Sequence, residues 1–239
     1  MTEQEWLSSA DPQAMLRFVT HADHNNRWRH AGASDRKLRL FAVACCYQAW
    51  GRLVDDAPCG RCGGSGNGLV PDQPHAPPFV AITEGVPGAC PDCSGAGRIN
   101  RSRRAVEVAE RFADGLATVE ELHETNRTPD MASMAFYWIT NSRLPESMTE
   151  ILPALPIPPA AQADLLRHIF ANPFRPLPPA PRSPLLLTLA QALYGGEDCA
   201  GYLKDALLDA GAPDCWAEHF AQAAHPKGCA WLDWLLEKA

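Results

Sequence analysis

The chain lacks any apolar run approaching the ~20 residues needed to cross a membrane. It also lacks the apolar core of a secretory signal, because its first residues, Met1-Thr2-Glu3-Gln4-Glu5-Trp6, are acidic. Positive charge is scarce: the net charge of -7 argues against a general polyanion binder. The imbalance is uneven. Residues 1–115 hold 13 basic and 13 acidic side chains, and the remainder holds 8 basic and 15 acidic. No glycine-rich phosphate loop, paired-carboxylate motif or Ser/His/Asp signature appears. Outside one short stretch there is no strand-like alternation either. These absences set the expectations: no membrane partner, a cytoplasmic location, an α-helical body, and no catalytic residue that a motif identifies.

Cysteine, by contrast, is plentiful. Nine cysteines without a secretory signal suggest a reducing compartment, where clustered cysteines bind metal more often than they pair. Four of them sit in two copies of C-x-x-C-x-G-x-G. The first copy runs Cys59-Gly60-Arg61-Cys62-Gly63-Gly64-Ser65-Gly66, and the second Cys90-Pro91-Asp92-Cys93-Ser94-Gly95-Ala96-Gly97. Two residues between cysteines let both sulfurs of a tight turn face one ion. The glycines that follow permit backbone angles closed to other residues and leave amides free to point at thiolates. The expectation is one structural zinc held by Cys59, Cys62, Cys90 and Cys93. Four sulfurs leave no open position for a water, so a catalytic zinc is not expected there. His75, in a proline-rich loop, is the weaker candidate for a ligand.

Helical patterning occupies the rest. Asp11-Pro12 reads as a cap and first helical residue, followed by Met15, Leu16, Phe18 and Val19. Asn25 to Gly32 reads as a polar loop. Ser34 caps a helix whose apolar face is Leu38, Phe41, Ala42, Cys45, Cys46, Ala49, Trp50 and Leu53. Between Asp56 and Ile99 the composition changes, with 9 of the 17 glycines and 7 of the 22 prolines. Helical periodicity then returns with Ala105, Val108, Ala109 and Phe112, and Thr118 caps a further helix. Met131 to Ile139 reads as a buried helix. Residues 145–184 hold 11 prolines but leave room for a helix from Ala160 to Ala171. Three or four short helices are expected in the tail, at Leu185–Tyr194, Tyr202–Ala210, Asp214–Ala223 and Gly228–Lys238. The fold class is therefore all-α. N-terminal helices (1–56) and a continuation (100–239, with Pro-rich connections at 145–184) form a multi-helix body around an inserted four-cysteine zinc ribbon (57–99).

The cysteines, with Gly64, Gly66, Gly95 and Gly97, resemble the zinc-binding region of DnaJ-type co-chaperones. That region carries four repeats and two zincs, and this chain has two repeats. It also lacks the His-Pro-Asp tripeptide of a J-domain, its nearest string being His225-Pro226-Lys227. The body resembles a paralogous family of uncharacterised planctomycete-type bacterial proteins. The resemblance rests on Glu5-Trp6-Leu7, Asp11-Pro12, Met15-Leu16, the run from Ser34 to Cys46, the run from Arg103 to Arg111, the run from Leu165 to Pro176, Gly228-Cys229, and Asp233 to Leu236. It brings no activity with it. It implies that the cysteine module is an insertion into a helical framework.

Other candidates carry less pattern. Cys45 and Cys46 lie on an apolar helix face and read as core. Cys199, Cys215, His219, His225 and Cys229 gather in the last forty residues, and Cys215 and His219 share a helix face one turn apart. A second metal site or a Cys–His nucleophile pair there is one reading, and burial of single cysteines among short helices is the other. His21 and His24 are also one turn apart. Arg98, Arg101, Arg103 and Arg104 follow the second cysteine pair and, with Arg61 and the group Arg27, Arg29, Arg36, Lys37 and Arg39, could line one face for nucleic acid. The functional expectation is a zinc-stabilised helical protein that acts as a protein–protein interaction or adaptor module. One alternative is a nucleic-acid-binding ribbon using Arg98, Arg101, Arg103 and Arg104. Another is an enzyme with a Cys/His site in the C-terminal helices.

Overall fold

The computed structural model describes residues 1–20, 33–49, 51, 56–59, 61–70, 86–90, 93, 95–125, 152–154, 157–222 and 224–238. The expected helix at Met131–Ile139, the loop with Arg27 and Arg29, and His21, His24 and His75 lie outside the described residues. Among those described, the chain is mostly helical.

The N-terminal helices start where side chains cap them. Helix α1 (Glu3–Ser8) begins on a capping box in which Thr2 and Glu5 bond each other's backbone amides. Helix α2 (Pro12–Thr20) is capped by Asp11, whose Oδ1 accepts from the amides of Gln13 at 2.9 Å and Ala14 at 3.2 Å. Ser34 caps α3 (Asp35–Gln48), accepting from the Lys37 amide. Helix α3 is buried along nearly its whole circumference from Leu38 to Cys46, Arg39 included. A helix covered all round is a central one, and α3 packs against both α4 (Arg101–Ala113) and α6 (Pro159–Phe170). The helix runs to Gln48, and Trp50 and Leu53, expected on the same face, lie outside the described residues. Helix α5 (Val119–Thr125) has its own capping box between Thr118 and Glu121. After α6 come α7 (Pro184–Tyr194), α8 (Ala200–Asp209), α9 (Asp214–Phe220) and α10 (Ala230–Leu236).

Four short strands interrupt the helices between α3 and α4. Strand β1 (Asp56–Pro58) pairs antiparallel with β4 (Arg98–Asn100), and β2 (Asn67–Val70) pairs antiparallel with β3 (Val86–Ala89). Because Asp56 lies opposite Asn100, the segment leaves and re-enters the body at one point. Helices α3 and α4 can therefore pack directly on each other.

The body contains two hydrophobic cores. The first gathers Trp6, Met15, Leu16, Phe41, Val106, Leu122, Leu166 and Ile169 from α1 to α6. The second gathers Leu186, Leu203, Leu207, Trp216, Phe220, Leu232 and Leu235 from α7 to α10. Several contacts hold the N-terminus to the end of α6. Trp6 Nε1 donates to the Ala171 carbonyl at 3.0 Å, Arg167 Nε donates to the Trp6 carbonyl at 3.1 Å, and Asn172 donates to Glu3 at 2.7 Å.

Charge joins the two cores. Arg36, in the first turn of α3, forms a two-pronged pair with Asp233 of α10 at 2.7 and 3.0 Å. The same guanidinium reaches Asp114 at 3.0 Å, and the Tyr194 hydroxyl donates to Asp114 at 2.7 Å. Lys37 Nζ lies 2.7 Å from Asp233 and donates to the carbonyls of Ile169 at 3.0 Å and Gly228 at 2.8 Å. Both carboxylates are only 3% exposed. Burial works against the Arg36 charge, but Asp233 more than offsets it and holds the guanidinium above its ordinary range. For Lys37 burial prevails over Asp233, and its ammonium is held below the usual lysine range.

Removing one partner of a buried pair leaves the others uncompensated. Asp233→Ala is expected to destabilise the fold by about 3–5 kcal/mol. Asp164→Ala, which breaks only a pair exposed on the Asp164 side with Arg167, is expected to cost less than about 1 kcal/mol. Urea denaturation of both variants beside the parent chain measures the difference.

Candidate metal centre

The two cysteine turns are built alike. In the first, the Ser65 amide donates to the Cys62 carbonyl at 3.1 Å; in the second, the Ala96 amide donates to the Cys93 carbonyl at 2.9 Å. Each turn then hands its last glycine to the other. The Cys59 amide donates to the Gly97 carbonyl at 2.9 Å, and the Cys90 amide donates to the Gly66 carbonyl at 2.8 Å. Gly66 and Gly97 have φ of +75° and +73°, and a Cβ on either would drive into the opposing carbonyl, that of Gly95 or Gly64. Both glycines are thus required by backbone angle and by space.

This exchange brings the four sulfurs together, all within 4.8 Å of one another. Cys59 Sγ lies 3.7 Å from Cys90 Sγ, and Cys62 Sγ lies 3.8 Å from Cys93 Sγ. A tetrahedral site with metal–sulfur bonds of ~2.3 Å has sulfur–sulfur edges of ~3.8 Å. The donor set and its spacing fit one tetrahedral ion. The Gly97 amide also points at Cys93 Sγ, 3.3 Å away. At Cys62 burial works to raise the thiol, but the Gly66 and Gly64 amides and the neighbouring sulfurs outweigh it and bring it down to about 6. These amides favour thiolate, the form that binds metal.

The other cysteines have different surroundings. Cys45 and Cys46 are fully buried in the first core. Burial pushes the Cys46 thiol up to about 12 and the Cys45 thiol well above its ordinary value. Of the tail residues, Cys199 donates to the Leu189 carbonyl in the second core, and Cys215 is half-buried against that core. Neither joins a cluster. His219, His225 and Cys229 do come together, and the fourth member of their group is His168 of α6. The sulfur beside His219 Nε2, 3.1 Å away, belongs to Cys229 and not to Cys215 one helical turn before it. Nothing in the sequence ties His168 to this group, because it lies 51 residues before His219, in an amphipathic helix of the other core. Burial pushes the Cys229 thiol up to about 12, with the Lys37 charge and nearby amides pulling the other way.

The arginines divide. Arg98 and Arg104 are exposed, while Arg36, Lys37 and Arg39 turn inward. Arg36 and Lys37 belong to the seam between the cores. Arg39 is 1% exposed beneath the Phe112 ring, and burial lowers it to about 10 against the pull of Asp35. The basic run of α3 therefore does not add to a surface shared with Arg98 and Arg104.

Thiol chemistry should follow these surroundings. At neutral pH Cys46 should carry on the order of a thousandfold less thiolate than a free cysteine, and Cys45 should likewise be held protonated by burial. Mass-spectrometric mapping of iodoacetamide adducts on the folded chain should find both unlabelled under conditions that fully alkylate an unfolded control.

Among the described residues no helix is long and apolar enough to cross a membrane. Comparison with protein-family models, with curated proteins and with solved structures gives no match, so the chemistry of the clusters themselves carries the functional reading.

Proposed function

We propose that this is a zinc-stabilised helical protein whose cysteine module presents a surface to another protein, as an adaptor does. The observation that carries the reading is the closed four-sulfur geometry beside the β1–β4 pair, where the two ends of the segment meet. A tetrahedral tetrathiolate has no vacant position for substrate, so its zinc serves to hold shape. A shape held this way, in a segment whose ends meet and leave α3 and α4 in contact, suits recognition. None of the nine cysteines is paired in a disulfide, which suits a cytoplasmic setting. The nucleic-acid alternative loses support from the inward turn of Arg36, Lys37 and Arg39. It retains the exposed Arg98 and Arg104, together with Arg101 and Arg103 of the same helix.

Two measurements test this. Zinc content of the purified chain should fall by about one equivalent in the Cys59→Ser/Cys90→Ser variant. Unchanged content would place the ion elsewhere. Replacing Pro58–Arg98 by a short Gly/Ser linker should leave helicity by circular dichroism largely intact. It should also abolish capture of whichever protein the intact chain retains from its host. Capture unaffected by the replacement would sink the adaptor reading. Fluorescence anisotropy with mixed-sequence DNA and RNA should detect no binding tighter than about 10 μM at physiological salt. A salt-sensitive sub-micromolar isotherm that is lost on Arg101→Ala/Arg104→Ala would favour nucleic acid instead.

A further inference from the structure

Where the two cores meet, next to the Lys37–Asp233 pair, the chain collects three imidazoles and a thiol. His168 comes from α6, His219 from α9, His225 from the loop after α9, and Cys229 from the residue that opens α10. Their ligand atoms all lie within 4.8 Å of one another. His168 Nε2 is 3.4 Å from His225 Nδ1, and His219 Nε2 is 3.1 Å from Cys229 Sγ. A tetrahedral ion with metal–nitrogen bonds of 2.0–2.1 Å has nitrogen–nitrogen edges of about 3.3 Å, close to the His168–His225 distance, and the other ligand atoms lie near enough to close around the same centre.

We propose that His168, His219, His225 and Cys229 form a second metal site, distinct from the four-cysteine cluster, which binds a zinc-class divalent transition ion and clamps the two cores of the body together.

Four features support the assignment. First, the supporting shell is of the kind that orients metal-bound imidazole: His225 Nε2 lies 3.1 Å from the Gln222 carbonyl. A proton on Nε2 that bonds this carbonyl leaves the Nδ1 lone pair facing the cluster. Second, rings fix the position of His219. It stacks on Trp231 at a centroid distance of 4.9 Å and meets Phe220 edge-on at 5.1 Å. Third, burial keeps the imidazoles neutral, lowering His168 to about 4 and His219 to about 2, in each case aided by neighbouring histidines. Neutral imidazole is the form that ligates. Fourth, the loop bearing His225 and Cys229 is pinned against α3. A Cβ at Gly228, whose φ is +85°, would sit 2.9 Å from Leu40 Cβ, and the Gly228 carbonyl receives Lys37.

The donor set selects the ion. One thiolate with three imidazoles suits zinc and its borderline neighbours and is wrong for magnesium or calcium, which take oxygen. A cavity of about 630 Å³ borders His168 and His225, with Tyr47, Glu110 and Asp164 also on its wall. It gives the ion a route from solvent to the two more exposed ligands, with His219 and Cys229 buried behind them. Binding replaces the Cys229 S–H bond with a metal–sulfur bond and releases that proton to water.

The test is made on the full chain, equilibrated with zinc chloride, desalted and analysed for bound metal beside three variants. The parent should retain about two zinc ions per chain. Replacing Cys59, Cys62, Cys90 and Cys93 together by serine should leave about one, as should His168→Gln/His225→Gln. The latter pair is only half-buried, and circular dichroism verifies that its helices persist. In the four-serine chain, cobalt(II) should give the visible absorption of a tetrahedral site with near-ultraviolet charge transfer from a single thiolate. Cys229→Ser in that background should abolish the charge-transfer band. A parent retaining one zinc, or a content that His168→Gln/His225→Gln leaves unchanged, overturns the assignment. So does a cobalt spectrum without the thiolate band.

Discussion

Asp233 carries much of this architecture. Nearly excluded from water, it takes both prongs of Arg36 and the ammonium of Lys37. Arg36 in turn holds Asp114, on which the Tyr194 hydroxyl also closes. The participants come from α3, the turn after α4, α7 and α10, so this one cluster ties helices of the first core to helices of the second. Each charge has a partner of opposite sign and further hydrogen bonds, the condition under which burial of ions is tolerated. Apolar residues of the same volume would give as much cohesion. The charges give geometry, since the planar fork accepts one orientation of α10 against the start of α3.

That orientation determines what lies next to it. Lys37 bonds the carbonyls of Ile169 at the end of α6 and Gly228 at the approach to α10. Those two backbone sites flank His168 and Cys229 in sequence. The contacts that align the cores therefore also bring imidazoles of one core to the thiol of the other. The cysteine module is governed by a different constraint. Its glycines interlock with the opposing turn, and its ends meet at β1–β4.

Surroundings act on the thiols differently. In the module, amides favour the ionised form of Cys62, while burial, with the neighbouring sulfurs, pushes the Cys93 thiol up to about 11. Around Cys45, Cys46 and Cys229, burial favours the protonated form. Only at Cys229 are nitrogen ligands close enough for a metal to reverse that preference. Nine cysteines thus divide into four that converge on one point, one that stands with histidines, and four that pack as small apolar side chains.

Much local information was readable in the sequence, although α1 and its Thr2 cap were not among the expectations. Thr2, Asp11, Ser34 and Thr118 cap helices because a short oxygen-bearing side chain satisfies free amides wherever a helix begins. The tail helices lie within a few residues of where their apolar spacing puts them. The repeated C-x-x-C-x-G-x-G names its four ligand candidates because both the turn and its glycines are encoded within eight residues. What the sequence could not reveal was which polar residues face inward. Arg36, Lys37 and Arg39 look like a solvated basic run. They are buried because their partners, Asp114 and Asp233 for Arg36 and Lys37 and the Phe112 ring for Arg39, are supplied by helices 70 to 200 residues later. His168, likewise, looks like a lone histidine on an amphipathic helix. Its neighbours arrive only when α9 and α10 dock, and docking depends on side-chain pairing over distances that periodicity does not record.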